Sequence, residues 1–483
     1  MFRIYLSREL GAELLGVYQV AFSVFMVLIV VVSSGLPLTV SKLTAKYKTE
    51  KNREGQFGVV SSALVLGFGV ACMLCLIIII FQNSISNMFT DNRTMPILLT
   101  LLPAVIFSAV YSSFRGSLWG TRNYFFVSFS EFVEQVARIV AFILLAKCVF
   151  TQVSGGVIAG VSMSVACFVS MLLILTIYFA DKRKLSCPKG YFKQVFKSAV
   201  PITGVRTATS LVQPLIAVLF PLMFVLAGHT NEEAMSLYGV VMGMAFPLLF
   251  LPSTIVGAMS FTLIPDLSVS IAKNNSNEVK QKIHSNLFFA SLISVMFIPF
   301  FVGAGPQICE FLYNNSVAGV YLSKSAIVML PLGLSNITSS ILNTFNLEAK
   351  SFINNIVGGI VLILCVVGLS GILSVDALVL GFMLCMSITT IMNLIMIKRY
   401  THFKLSFLKS LVLMLVFIVP SAILCKFLCE FLIGYVGLFV SVVLSGILSI
   451  LSFLLLCWGF GILEVVSVFC KFLPAKRKRV NNI

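Results

Sequence analysis

The stretch "SEFVEQVAR" (130–138) places Glu131, Glu134 and Arg138 inside an otherwise apolar segment. On a helix these positions share one face. Two chemistries are open to such a stripe. Glu134 and Arg138, at i and i+4, can neutralise one another as an ion pair that orients the helix. Alternatively, the stripe can line a cavity in which Arg138 meets a substrate anion. A charge at the bilayer centre costs about 2.5–3.5 kcal/mol on insertion scales, so either use requires this face to point inward. With entry near Tyr124 and a rise of about 1.5 Å per residue, Glu134 lies about 15 Å deep and Arg138 about 21 Å deep.

Arg206, in "AVPITGVRTATSLVQPLIAVLFP", is a second deep cation, about 13 Å from the level of Lys197. It either joins the cavity or snorkels to the interface. Pro201, Pro214 and Pro221 are available to bend its helix. Arg3 and Arg8, in a short N-terminal helix, complete the set of candidates. Guanidinium groups carry a permanent charge and a bidentate fork that fits phosphate oxygens. A cavity holding several of them favours an anionic, phosphate-bearing substrate. No P-loop is present, so ATP hydrolysis is not expected. No cofactor or metal is expected either, which leaves an ion gradient or the membrane potential as the energy source.

The elements that position these residues follow from composition. Of 483 residues 59% are hydrophobic and only 11% charged, with a mean hydropathy of +1.05. A soluble domain needs far more charge to cover its surface, so the chain reads as an all-α polytopic membrane protein and not a soluble enzyme. Apolar runs predict a partial helix at 1–10 and spans at 17–41, 57–81, 96–114, 124–147, 155–180, 198–226, 235–262, 285–305, 321–345, 352–372, 375–397, 408–428 and 434–460. That is about 13–14 transmembrane helices, the first of them incomplete. No signal peptide is expected at Met1. The twelve cysteines sit mostly singly in apolar spans, and Cys72 and Cys75 lack acidic or His partners, so they read as packing residues.

Every second connection is basic, from "SKLTAKYKTEKNR" to the tail "KRKR", and most of the 34 basic residues fall on one side. By the positive-inside rule that side, with the C-terminus, is cytoplasmic. The net charge of +17 is then a topology signal with some attraction for anionic lipid, and no nucleic-acid partner is implied.

The chain also reads as doubled. "AELLGVYQVAFSVFMV" (12–27) is similar to "EEAMSLYGVVMGMAFP" (232–247), aligning Tyr18 with Tyr238. "GLPLTVSKLTAKYK" (35–48) is similar to "LIPDLSVSIAKNNS" (263–276), and the turns "FRGSLWGTRNYFF" (114–126) and "ILNTFNLEAKSFI" (341–353) correspond in the same order. Six helices separate the copies, which predicts parallel repeats with a cavity between two bundles. The expected organisation is an N-terminal lobe at 1–185, a C-terminal lobe at 190–400, two additional helices at 401–470 and a basic tail at 471–483.

"IYLSRELGAELLGVYQVAFSVF", "GLPLTVSKLTAKY", "SSFRGSLWGTRN", "EQVAR" and "SSILNTFNL" resemble the family of stage V sporulation protein B and its polysaccharide-transporter relatives. That family lies within the multidrug/oligosaccharidyl-lipid/polysaccharide (MOP) exporter superfamily, together with the murein-precursor flippases. The resemblance implies a MATE/MOP-type fold of two six-helix lobes plus two C-terminal helices. It also implies alternating access and a lipid-linked saccharide or peptidoglycan precursor carried across the bacterial plasma membrane for spore cortex or cell-wall synthesis. The family's "EQ..R" motif maps onto Glu134, Gln135 and Arg138, and Glu131 stands where relatives often carry Gln. Two other functions compete: cation-coupled multidrug export with Glu131 or Glu134 as the ion site, and a membrane scaffold recruiting cell-wall enzymes through the basic loops.

Overall fold

The computed structural model describes residues 2–149, 155–181, 183–188, 190–273, 275–401 and 407–462, and every regular element among them is a helix. The helices are α1 (Phe2–Ser33), α2 (Leu36–Thr49), α3 (Arg53–Ile80), the short α4 (Gln82–Ser86), α5 (Thr94–Gly120), α6 (Tyr124–Val149), α7 (Gly155–Ala180), α8 (Phe192–Ser210), α9 (Val212–Leu226) and α10 (Asn231–Tyr238). A π-helical turn at Gly239–Ala245 leads into α11 (Phe246–Ala272), α12 (Ser276–Met296), α13 (Ile298–Tyr313) and α14 (Ser316–Ser325). The last elements are α15 (Met329–Thr344), α16 (Glu348–Leu373), α17 (Asp376–Thr401), α18 (Phe407–Val436) and α19 (Leu438–Gly459).

Twelve helical stretches among the described residues are long and apolar enough to cross a bilayer. α6 has the length, 26 residues, but Glu131, Glu134, Arg138 and Lys147 break its apolar surface; with it the count reaches thirteen. Large apolar side chains stay exposed around the helices, Phe125 at 74% and Ile372 at 79%, as expected of surfaces that face lipid. The protein is a polytopic, all-α membrane protein.

The helix expected at 1–10 does end at a break, at Gly11, whereas the span expected at 17–41 is corrected. Residues 2–33 form one element interrupted at Gly11, whose φ of 72° is open to glycine and costly for other residues. The next helix starts at Leu36, with Pro37 in its first turn where a missing N–H costs nothing. The lysine-rich segment after it, expected as a loop, continues as α2 to Thr49, because nothing between Pro37 and Thr49 breaks a helix and Lys46 and Lys48 favour its C-terminal end. α5 likewise runs past 114 to Gly120. The tail at 471–483 and Lys182, Lys189 and Lys404 lie outside the described residues.

The chain packs as two units, Met1–Met244 with Asn355–Gly381, and Ala245–Asn354 with Phe382–Ile483. In the first, Leu36, Val40, Val59, Tyr111, Phe114, Ile174 and Tyr178 form a core that joins α2, α3, α5 and α7. The two segments aligned by sequence also meet there: a Cβ on Gly16 would lie 1.9 Å from the Met235 carbonyl oxygen, and one on Gly239 would lie 2.0 Å from that of Ala12. Only glycines let α1 and α10 approach so closely. In the second unit, Asn393 binds Asn354 at 2.8 Å, Thr338 at 3.2 Å and Ser339 at 3.1 Å, tying α15, α16 and α17 through buried polar groups.

Candidate functional site

A cavity of about 420 Å³ opens in the first unit between α1, α5, α6 and α7. Phe22, Phe25, Met26 and Ile29 give it an apolar wall from α1, and Met163 and Cys167 close it on α7. Its polar wall is α6, where Glu131, Glu134, Gln135 and Arg138 all face inward, and it is completed by Ser108, Tyr111 and Arg115 from α5.

Two ion pairs organise that wall. Arg138 Nη2 donates to Glu134 Oε1 at 3.0 Å, the predicted i, i+4 pair, with side-chain exposures of 13% and 19%. The second oxygen of Glu134 accepts from the Ser170 hydroxyl at 3.1 Å, so α7 holds the carboxylate in place. The Arg138 guanidinium lies 5.8 Å from the Phe2 ring centroid. One turn and more toward the helix start, Arg115 Nη1 donates to Glu131 Oε1 at 3.2 Å. Its guanidinium stacks over Trp119 at 4.4 Å, a cation–π contact that fixes its plane. Ser130, held to the Tyr111 hydroxyl at 2.8 Å, locks the two helices together beside this pair.

Both arginines keep a donor in reserve. Nε of Arg115 and Nε of Arg138 are buried and meet no acceptor among the described residues. A buried unpaired donor is costly, so each guanidinium is held under-satisfied on its Nε edge. The arrangement is thus a pair of guanidinium groups, each balanced by one carboxylate and each with an unpartnered Nε. Such a site can exchange a protein carboxylate for a ligand oxyanion.

The other predicted residues do not join this wall. Arg206 is exposed, and its Nη1 donates at 3.4 Å to the Ser34 carbonyl in the break between α1 and α2. It therefore pins α8 to that break, next to Ser33 on the cavity rim. Arg3 is exposed on α1 with its guanidinium 5.9 Å from Phe22, a cavity wall residue. Arg8 is exposed just before Gly11 and is not part of the lining. Arg115, Tyr111 and Ser170 were not expected at the site. Arg115 lies just past the span expected at 96–114, although Trp119 four residues on was a signal that the helix continues with both on one face. Among the described residues no cluster of three or more His, Cys, Asp or Glu could hold a metal ion.

The second unit carries a separate groove of about 380 Å³ with an apolar lining that includes Pro252, Ile255, Phe300, Phe311 and Phe439.

A family described as polysaccharide biosynthesis protein matches residues 1–268, more than half of the chain. Stage V sporulation protein B of Bacillus subtilis (strain 168) is 26% identical over 378 residues, covering 74% of this chain and 72% of the relative. Lipid II flippase MurJ of the same organism is 24% identical over 451 residues, covering 85% and 81%. Among solved structures, an inward-facing multidrug resistance MATE family transporter of the MOP superfamily superposes with a TM-score of 0.71 at 15% identity, covering 83% of this chain and 93% of that one. Lipid II flippase MurJ in an inward closed conformation gives 0.69 at 16% identity, with 95% of each chain covered. The fold is therefore of the MATE/MOP type. Every residue of the Arg–Glu cavity falls inside the matched segment, and the chain belongs to the polysaccharide biosynthesis protein family.

Proposed function

We propose that the protein is a flippase that moves a lipid-linked anionic saccharide, of the peptidoglycan-precursor class, across the bacterial plasma membrane. The observation that carries this reading is the pair of arginines, Arg115 and Arg138, lining one cavity, each bound there to a single carboxylate. A phosphate or diphosphate headgroup displaces Glu134 from Arg138 and Glu131 from Arg115. The freed Glu134 keeps the Ser170 hydroxyl as a hydrogen-bond donor, and the freed Glu131, half-exposed, turns to solvent. The lipid tail stays in apolar surroundings, either the bilayer or a groove of the kind found in the second unit.

The same proposal covers the remaining steps. The two parallel lobes, 1–185 and 190–400, alternate access to the cavity. The basic loops and the C-terminus face the cytoplasm, and the membrane potential or an ion gradient drives the cycle. The names of the bacterial relatives, stage V sporulation protein B and lipid II flippase MurJ, support a place in spore cortex or cell-wall synthesis, in company with cell-wall enzymes. Cation-coupled drug export is the competing reading, favoured by the likeness to MATE transporters. It needs a carboxylate free to bind a proton or cation, and both cavity carboxylates are already held by arginines.

Reconstituted protein should translocate a labelled undecaprenyl-linked saccharide and fail to move cationic dyes. Dye efflux without saccharide translocation would reverse the choice.

A further inference from the structure

A second polar basin lies outside the Arg–Glu cavity, at the basic end of the first unit. Its volume is about 710 Å³. Three chain connections meet around it: the α2–α3 turn, the α5–α6 turn and the segment after α7. Four cations line it, Lys48, Lys51, Arg53 and Arg183, against one carboxylate, Asp181, among the described lining residues.

Arg183 is the built part of the floor. Its side chain is 11% exposed, and its donors are taken by Asp181 at 2.8 Å, Ser117 at 3.2 Å and Thr121 at 3.0 Å. The same guanidinium lies 5.6 Å from the Tyr178 ring. It neutralises the carboxylate and fixes the segment after α7 onto the end of α5. The opposite rim is different. Lys48, Lys51 and Arg53 are exposed and lie within six residues, and none of them pairs with a carboxylate among the described residues, whereas neighbouring Lys46 is engaged by Glu50 at 3.9 Å. Lys51 holds a φ of 56°, a left-handed turn conformation that non-glycine residues seldom adopt. The turn thus sets three like charges side by side over a concave floor. Like charges held together are unfavourable unless a counter-anion joins them.

We propose that this basin binds the phosphate group of an anionic phospholipid headgroup, at a site separate from the transport cavity. The surroundings favour a lipid over a soluble phosphate. Asn123 of the wall is followed directly by Tyr124, Phe125 and Phe126, exposed at 57%, 74% and 43%, and Phe125 stacks on Phe129 one turn on. Exposed aromatics at a helix entrance mark the interface, where acyl chains run along the rings and the headgroup reaches the rim cations. A phosphate seated there touches α2, α3 and the wall made by α5 and Arg183 together, so its binding stiffens the basic end of the unit. The inference does not rest on what the transport cavity carries.

Full-length protein in detergent is titrated with phosphatidylglycerol, phosphatidylcholine or inorganic phosphate while its thermal midpoint is followed. Binding to the folded state raises Tm with ligand concentration until the site saturates. The expected result is a saturable rise with phosphatidylglycerol alone, lost in the triple variant Lys48→Gln, Lys51→Gln, Arg53→Gln and kept in Arg138→Gln. The single exchange Arg53→Gln gives an intermediate rise, which keeps the test decisive if the triple variant is unstable. An equal rise with inorganic phosphate overturns the lipid as source. An equal rise in wild type and triple variant, or no rise at all, overturns the site.

Discussion

Arg115 of α5 and Glu131 of α6 close to 3.2 Å across a helical hairpin, sixteen residues apart in sequence. The contact gives Glu131 a partner of its own, so the three charges of the α6 stripe are not one network but two adjacent pairs. It also places a second guanidinium in the cavity beside that of Arg138.

If the carboxylates compete with a ligand anion, removing one frees its arginine. Glu131→Gln is expected to tighten binding of a labelled lipid-linked saccharide by about threefold to tenfold, and Arg115→Gln to weaken it by about tenfold, as charge-assisted hydrogen bonds of about 1.5–3 kcal/mol imply after screening. Native mass spectrometry of the purified protein reads both. Equal weakening by the two exchanges would show that the pair is structural.

The crossing of α1 and α10 tolerates no side chain at Gly16. Gly16→Ala drives a methyl into the Met235 carbonyl and should lower thermal stability by about 1–3 kcal/mol or more. Gly69→Ala in α3 is the control, with open space around the added methyl and a gain of roughly 0.5–1 kcal/mol from helix propensity. Thermal midpoints of the two variants should move in opposite directions.

Buried Asn393 serves three partners on two helices. Asn393→Leu leaves those groups without it in an apolar interior and should cost about 1–3 kcal/mol. An unchanged midpoint would mean that the neighbours pair among themselves.

Opposite in character is Asp91, in the polar loop before α5. Burial pushes its carboxyl up, but hydrogen bonds from the Arg93 side chain and backbone outweigh burial and hold it below the usual carboxylate value. Arg93 also pairs with Glu13, which links the loop to α1. A depressed folded pKa contributes stability that is present above the unfolded value of about 3.9 and lost as pH falls through the folded value. Asp91→Asn should therefore lower Tm at neutral pH, with the gap from wild type closing below about pH 3.9. A gap constant across an acid titration would remove Asp91 from the stability account.

Much of this is legible in the sequence. The span at 155–180 coincides with α7 because glycine opens it and charge follows it. The α6 stripe is readable because charges are rare enough in this chain for their spacing to stand out. Arg115 is not readable in the same way. Whether a basic residue near a turn faces solvent or a cavity depends on where the helix stops, and α5 continues to Gly120 because Gly116 lets it lie against the backbone of Pro37. Arg206 is the reverse case: its guanidinium donates to the Ser34 carbonyl in the break between α1 and α2, and no sequence pattern announces that contact. The boundary after residue 10 is readable, but the positive φ at Gly11 that lets helix resume at once is not.

The claim that a cavity arginine takes the substrate anion is tested most directly by translocation of a labelled undecaprenyl-linked saccharide in proteoliposomes. Wild type, Arg138→Gln and Arg206→Gln are compared at equal amounts of folded protein. The expected result is a loss of at least about tenfold for Arg138→Gln, the value of one charge-assisted contact, with Arg206→Gln close to wild type. Wild-type translocation by folded Arg138→Gln would contradict the claim.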